Sequence, residues 1–473
     1  MFVGRDRELA ALENLYRSGA FEMPVIYGRR RVGKTRLITE FIKGKRAVYV
    51  QARRTNAEVN LALLSQAITS FSSDVPMPAF SSFDAAFDAL LALSCDERLV
   101  FVIDEFPYLA QSFPEISSLL QARIDHDFKE SSQLMLILCG SSLSFMEEQV
   151  LGYESPLYGR RTAQFKIEPF DFFATRKFWS EVRPEDAALL YGCTGGIPAY
   201  IEKVDARLSV AENLERLYFA PEGYLFEEPG NLLLQECRSP EQYDAVIQAI
   251  ANGKTKVSEI AAAAKIVQSN TSGYLRKLGS LGVVERELPF GEASNKKAVY
   301  KLKDTMFRFW YRFVSQNLGL IANGLGHAAL ERSSASFPEY MGPVFEDICL
   351  QYVYRMARSG NTDVLPAVAG RWWGNDARTR SQEEIDLVVS DGAGKALFGE
   401  CKWRNEAVGR DVAEKLVYRS ELLRFDQKRY VVFSKTGFTD ACRSYALARG
   451  DMTLLTFTDM CSAVDIETGQ PSA

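Results

Sequence analysis

The sequence predicts a multidomain α/β protein, and three observations carry that reading. A glycine-rich loop, "GRRRVGKT", sits between an apolar strand and a helical pattern near the start. The middle holds short helices followed by two short strands, with a local excess of positive charge. Toward the C-terminal end, "EIDLVVSDGAGKALFGECKW" reads as two strands about a tight turn, set among helices and further strands. At 473 residues the chain exceeds what one hydrophobic core supports, so two to four domains are expected.

Composition narrows the class. A chain 47% hydrophobic and 25% charged is ordinary globular protein, and a net charge of −5 means that any nucleic-acid surface must be local. The eight cysteines (Cys95, Cys139, Cys193, Cys237, Cys349, Cys401, Cys442, Cys461) form no CxxC pair, and there are only two histidines. That pattern argues against zinc and for reduced thiols, with Cys139 a small core residue. "MFVGRDREL" has charges where a signal peptide needs an apolar stretch, and no run reaches membrane-spanning length, so a cytoplasmic protein without a membrane partner is expected.

The first element is the strand Pro24 to Tyr27, followed by Gly28 and, after Lys34, a helix. This is the strand, loop and helix of a GxxxxGK[ST] phosphate-binding motif. Gly28 and Gly33 let the loop Arg29, Arg30, Arg31 and Val32 curl its N–H groups around a β-phosphate, and the helix N-terminus through Arg36 adds partial positive charge. Lys34 would reach the β- and γ-phosphates, and Thr35 would ligate magnesium. The next strand, Val100 to Ile103, ends in Asp104 and Glu105, assigned to magnesium and to orienting the attacking water. A third strand ends in "CGSS", where Ser141 would sense the γ-phosphate. Arg160 and Arg161 follow a turn; Arg160 is either an arginine finger completing a neighbouring copy's site, which implies a homo-oligomer, or a solvated surface residue.

"FVGRDREL", "GRRRVGKT", "VFVIDEF", "CGSS", "PLYGRRT", "IEPF" and "TGGIPAYI", in that order from Phe2 to about Ile201, resemble the AAA+ and STAND-like ATPases common in archaea and many bacteria. The resemblance implies an αβα core over residues 1–170, a helical lid over 171–238, and ATP with Mg2+ as cofactors. It also implies that Gly4 and Arg5 border the adenine, and that the turn at Gly195, Gly196 and Pro198 meets the nucleotide from the lid side.

From residue 239 to 315 the pattern is a winged helix-turn-helix. Ser258 to Ile266 is the first helix of the motif, Ser269 or Asn270 caps the second, and Tyr274, Leu275 and Leu278 turn inward. Two strands around "PFGEASNKK" form the wing. Between Lys254 and Arg312 there are twelve Lys or Arg against five Asp or Glu, which points to DNA as partner through Arg276, Lys277, Lys296 and Lys297; packing or partner contact is the other use of such a module. "LKDTMFRFWYRFV" is either a base-stacking platform or, preferably, a docking helix, and residues 316–340 read as a linker.

The last region, 341–473, orders as helix, three strands, helix, strand, helix, strand. A hairpin at Gly392 and Ala393 brings Asp386 opposite the neighbourhood of Glu400, and Lys402 shares the face of Glu400 because residues two apart on a strand point the same way. Two converging carboxylates suit Mg2+ or Mn2+, and a lysine beside them would activate water or steady charge on a phosphate. "EIDLVV" and "GECKW" resemble the PD-(D/E)XK nuclease-like superfamily, which implies a restriction-endonuclease-like α/β fold and a further acid at Glu346. The expectation is an ATP-hydrolysing protein coupling nucleotide state to a DNA-binding winged helix and a metal-dependent nuclease-like domain. The alternative is a regulatory ATPase whose C-terminal fold is inactive and mediates interactions.

Overall fold

The structure is a computed structural model that describes residues 2–72 and 79–468. The chain forms two compact units, one of Met1–Pro169 with Ile197–Ala199, the other of Phe170–Gly196 with Tyr200–Ala473.

In the first unit five strands, β1 (Pro24–Tyr27), β2 (Ala47–Gln51), β3 (Leu99–Asp104), β4 (Leu134–Gly140) and β5 (Ala163–Lys166), form one sheet in the order β2-β3-β4-β1-β5. Every neighbouring pair is parallel, which requires crossover connections, and helices supply them. All residues of β1, β3 and β4 are buried. That is why "LVFVI" and "LMLILC" are unbroken apolar runs, since both faces of such a sheet are covered. β4 lies between β3 and β1, so the strand beside the phosphate loop's own strand is the one ending in "CGSS" and not the one ending in Asp104.

The second unit begins with helices, including Pro184–Thr194, Val210–Tyr218 and Glu228–Glu236, in the stretch read from sequence as a lid. The winged module follows as helices Pro240–Ala251, Val257–Ala264 and Gln268–Ser280, then the antiparallel pair β6 (Val284–Glu287) and β7 (Val299–Leu302). The second helix of the motif starts earlier than expected. Its N-cap is Val267, with no side-chain capping bond, so neither Ser269 nor Asn270 is the cap. Leu275 and Leu278 turn inward as the spacing requires, Thr271 joins them, and Tyr274 packs edge-on against Tyr243 with ring centroids 4.8 Å apart.

Residues 316–340 are not a linker. They form helices Leu318–Ala322 and Gly326–Ser334, and the helix Phe337–Arg358 begins inside the same stretch. Ile321, Ala329 and Leu330 are buried. Gly326 marks close packing and not flexibility, because a Cβ there would fall 1.7 Å from the carbonyl oxygen of Phe219. The aromatic helix starting at Thr305 docks, as preferred from sequence. Phe309 meets Tyr218 and Phe313 at 5.0 Å, and the Tyr340 hydroxyl donates to the carbonyls of Gly192 (2.6 Å) and Thr305 (2.9 Å).

The C-terminal sheet comprises β8 (Val368–Asp376), β9 (Ser381–Ser390), β10 (Lys395–Lys402), β11 (Gln427–Ser434) and β12 (Met452–Thr456), in the order β12-β11-β10-β9-β8. β8, β9 and β10 are antiparallel neighbours, while β10, β11 and β12 run parallel. The Asp391 carboxylate closes the β9–β10 turn by accepting the N–H groups of Ala393 (2.8 Å) and Lys395 (3.0 Å). This sets Leu387 against Gly399, and therefore Asp386 beside Glu400. Helices Phe337–Arg358, Arg410–Ser420 and Asp440–Arg449 belong to the same mixed α/β domain.

Candidate functional site

The phosphate loop has the close-packed backbone its sequence requires. A Cβ on Gly28 would lie 2.4 Å from the Ile167 carbonyl oxygen, so only glycine fits. Gly33 caps the helix Lys34–Ile42 in the left-handed region, at φ 90°. Lys34 is buried and its ammonium donates to the carbonyls of Gly28 and Arg29, both at 2.9 Å. Burial pushes its pKa down, so an incoming phosphate would strongly favour its charged form. Arg5 holds the loop from the N-terminal segment, donating to the carbonyls of Val32 (3.2 Å) and Glu168 (2.5 Å). Arg30 donates to the Tyr108 hydroxyl at 2.7 Å, a partner absent from the sequence reading. Pro198 belongs to the same unit as the loop and lies 3.7 Å from where a Cβ on Gly33 would stand.

Asp104 ends β3, and Glu105 follows it directly. The Thr35 hydroxyl donates to Asp104 Oδ2 at 2.8 Å, and Asp104 is 1% exposed. Thr35 and Asp104 together are a hard-oxygen donor pair suited to magnesium. Glu105 sits in the left-handed region (φ 52°, ψ 45°), and its Oε2 accepts from the Ser141 hydroxyl (2.8 Å) and backbone N–H (3.3 Å). Ser141 and Glu105 are thus bonded to each other at the end of the sheet. Arg160 is engaged within its own chain: its guanidinium grips Asp125, with Nε 3.0 Å from Oδ1 and Nη2 2.5 Å from Oδ2, and also donates to the Pro156 carbonyl at 2.8 Å. In this arrangement it ties its own loop to the segment Ile124–Phe128.

In the C-terminal domain Asp386, Glu400 and Lys402 converge. Asp386 Oδ2 accepts the Cys401 N–H at 2.9 Å, and Lys402 Nζ lies 2.6 Å from Glu400 Oε1 and 3.7 Å from Asp386 Oδ2. Burial, then the Asp386 charge, pushes the Glu400 pKa up. Two arginines missed from sequence complete the site. Arg419, on the helix Arg410–Ser420, bridges Glu383 (2.8 Å) and Glu400 (3.3 Å), and Arg371 on β8 lies 3.3 Å from Glu346. No local motif announces either one, because each reaches the acids from a different element. Glu346 is held by Arg371, and among the described residues no group of three or more His, Cys, Asp or Glu side chains is arranged to hold a metal. The candidate donor set is thus the pair Asp386 and Glu400.

The winged module is only partly available to a partner. Arg276 and Lys296 are exposed, Lys277 is half-buried, and Lys297 pairs with Glu292 at 2.9 Å. The wing loop meets the C-terminal domain: the Phe290 N–H donates to the Arg371 carbonyl at 2.7 Å, and the rings of Phe290 and Phe425 lie 6.2 Å apart. All eight cysteines are free thiols, with Cys139 fully buried. No described helix is long and apolar enough to cross a membrane.

Three family profiles match successive parts of the chain. Residues 2–204 match an ATPase domain predominantly from Archaea, residues 245–286 match the bacterial regulatory proteins of the arsR family, and residues 310–415 match archaeal and bacterial proteins of unknown function. An uncharacterised protein of Methanocaldococcus jannaschii is 32% identical over 444 residues, covering 92% of this chain and 96% of that one. An uncharacterised ATP-binding protein of the same organism is 46% identical over 46 residues, covering 10% of this chain and 78% of the other. Among solved structures, the Walker-type ATPase of Pyrococcus abyssi is similar in fold, with TM-score 0.50 and 21% identity, covering 66% of this chain and 96% of that one.

Proposed function

The chain belongs to a family of ATPases found predominantly in Archaea, and from that premise we propose that it binds and hydrolyses ATP and uses the nucleotide state to govern a DNA-binding winged helix and a nuclease-like C-terminal domain. The observation that carries the ATP reading is the network joining loop to acids, with Thr35 bonded to Asp104 and Glu105 oriented by Ser141. Lys34 would meet the β- and γ-phosphates, and Thr35 with Asp104 would hold magnesium, whose positive charge supports phosphoryl transfer. Glu105, with one carboxylate oxygen fixed by Ser141, would orient the attacking water through the other. Glu105→Gln is expected to abolish turnover while nucleotide binding persists, and turnover unaffected by this change would sink the assignment.

For the C-terminal domain, the convergence of Asp386, Glu400 and Lys402 on paired strands supports a restriction-endonuclease-like site acting on DNA. Asp386 and Glu400 would hold Mg2+ or Mn2+, which polarises a phosphodiester and acidifies bound water. Lys402 would place a positive charge beside the scissile phosphate. The winged module supports DNA as the partner through the exposed Arg276 and Lys296. One observation favours a second reading, a regulatory ATPase with an inert C-terminal fold: Lys402 and Arg419 already neutralise Glu400. Incubation with plasmid and linear DNA, with Mg2+ or Mn2+ and with or without ATP, separates the two. Cleavage lost in Asp386→Ala and Lys402→Ala supports the nuclease reading. Cleavage that survives both places the chemistry elsewhere, and no cleavage under any condition selects the regulatory reading.

A further inference from the structure

Tyr49 lies outside every sequence motif described above. It sits on β2, the edge strand of the first sheet, in register with Val102 of β3. Paired residues on neighbouring strands share a face, and a long aromatic side chain reaches the diagonal neighbour two positions along. For Tyr49 that neighbour is Asp104, and the Tyr49 hydroxyl donates to Asp104 Oδ2 at 2.7 Å. The same oxygen accepts from Thr35 at 2.8 Å, while Oδ1 accepts the Glu105 N–H at 2.9 Å.

We propose that Tyr49 is a positioning residue for the magnesium–nucleotide complex: its hydroxyl fixes the Asp104 carboxylate in the orientation that serves the metal alongside Thr35. The assignment rests on the ATP reading of this site. The Glu105 N–H already holds Oδ1, so the oxygen left to be oriented is Oδ2, which would lie beside a metal held by Thr35. The Thr35 hydroxyl is one donor to that oxygen. The Tyr49 hydroxyl, arriving from the sheet edge, is the second and fixes its direction. Asp104 is buried, so a lost donor there is not readily replaced by water, whereas the half-buried Tyr49 has solvent within reach and bonds the carboxylate instead.

The test uses the full chain and a fluorescent ATP analogue, with affinity measured in EDTA and in excess Mg2+. The ratio of the two affinities isolates the contribution of the metal. Tyr49→Phe keeps the ring and removes only the donor, and is expected to reduce that ratio about threefold to tenfold, as for the loss of one hydrogen bond. Affinity in EDTA and the thermal midpoint should stay at wild-type values. Thr35→Ala, which removes a direct ligand, should reduce the ratio further. An unchanged ratio in Tyr49→Phe while Thr35→Ala responds overturns the proposal and leaves the ATP reading standing. A fall in EDTA affinity together with a lowered midpoint also overturns it, because that is the signature of a merely structural tyrosine. A chain that binds no nucleotide in either condition removes the ATP reading and this assignment with it.

Discussion

Glu346 gives the most direct physical test of the C-terminal acid site, because it requires no substrate. Burial, opposed by Arg371 and reinforced by Asp386, pushes its pKa from 4.5 up to about 8. The folded chain therefore holds this proton more tightly than the unfolded chain, in which the group titrates at its ordinary value. Stability drawn from the protonated form is complete below about pH 4.5 and is lost as pH rises through about 8. Each tenfold difference in proton affinity corresponds to about 1.4 kcal/mol. The step from 4.5 to about 8, which already includes the opposing pull of Arg371, sets a ceiling of about 5 kcal/mol, of which about 3 kcal/mol falls above pH 5.5. Glu346→Gln keeps the neutral shape at every pH. Urea denaturation from pH 5.5 to 9 should show wild-type stability falling by that amount relative to the variant. Parallel curves would refute the reasoning. A variant destabilised most at alkaline pH would show that the Arg371 ion pair, and not burial, dominates.

Three further outcomes concern the first unit. Arg160→Ala removes the two-pronged grip on Asp125 and should cost about 1 kcal/mol in denaturant unfolding. Asp125 is held below its ordinary pKa by Arg160, so this loss should be present near neutral pH and shrink as pH falls through the acid range. An Arg160→Ala chain that keeps its stability but depresses turnover when mixed with wild type would instead establish the finger. Gly28→Ala forces a Cβ against the Ile167 carbonyl, and isothermal titration should show nucleotide affinity lowered by about a hundredfold or more. Ser141→Ala frees Glu105, so turnover should drop about tenfold or more with affinity little changed, read as a fall in kcat without a rise in KM.

The sequence made legible what short-range periodicity encodes. Asp386, Glu400 and Lys402 could be placed together because strand side chains alternate and a "DG" turn fixes a hairpin register, and β9 and β10 pair in that way. That Thr35 and Asp104 meet, at 2.8 Å, was legible because the order of the two motifs brings the loop and the strand end together. Tyr49 was not, since its reach to Asp104 depends on the register of two parallel strands that are far apart in the chain. Arg371 and Arg419 escaped for the same reason, each approaching the acids from a separate element. The segment 316–340 misled because its Gly and Ser content suggested a flexible connection. Gly326 is there for close contact with the Phe219 carbonyl, a reason invisible without the fold.

Charge counting in the winged module shows how pairing changes a sequence-level argument. Twelve cations against five acids suggested a broadly basic face. Yet Lys301 pairs with Glu285 and Glu287 (3.1 and 3.2 Å), Lys297 with Glu292 (2.9 Å), and Arg312 with Glu339 (3.1 Å), an acid outside the counted window. The wing loop also meets the C-terminal domain through Phe290. Exposed cations remain on the helix Gln268–Ser280 at Arg276, beside the exposed Gln268, Ser269, Asn270 and Ser272, on the wing at Lys296, and elsewhere in the module at Lys254, Lys265, Arg286 and Lys303. If the module binds DNA, Arg276→Ala should lower affinity and reduce the magnitude of the salt slope by about 1. Lys297→Ala, removing a cation already matched by Glu292, should change both much less. Fluorescence anisotropy with a labelled duplex at several salt concentrations measures both quantities. Equal effects of the two substitutions would mean that the Glu292 pair opens on binding and that the wing, despite its contact with the C-terminal domain, reaches the phosphate backbone.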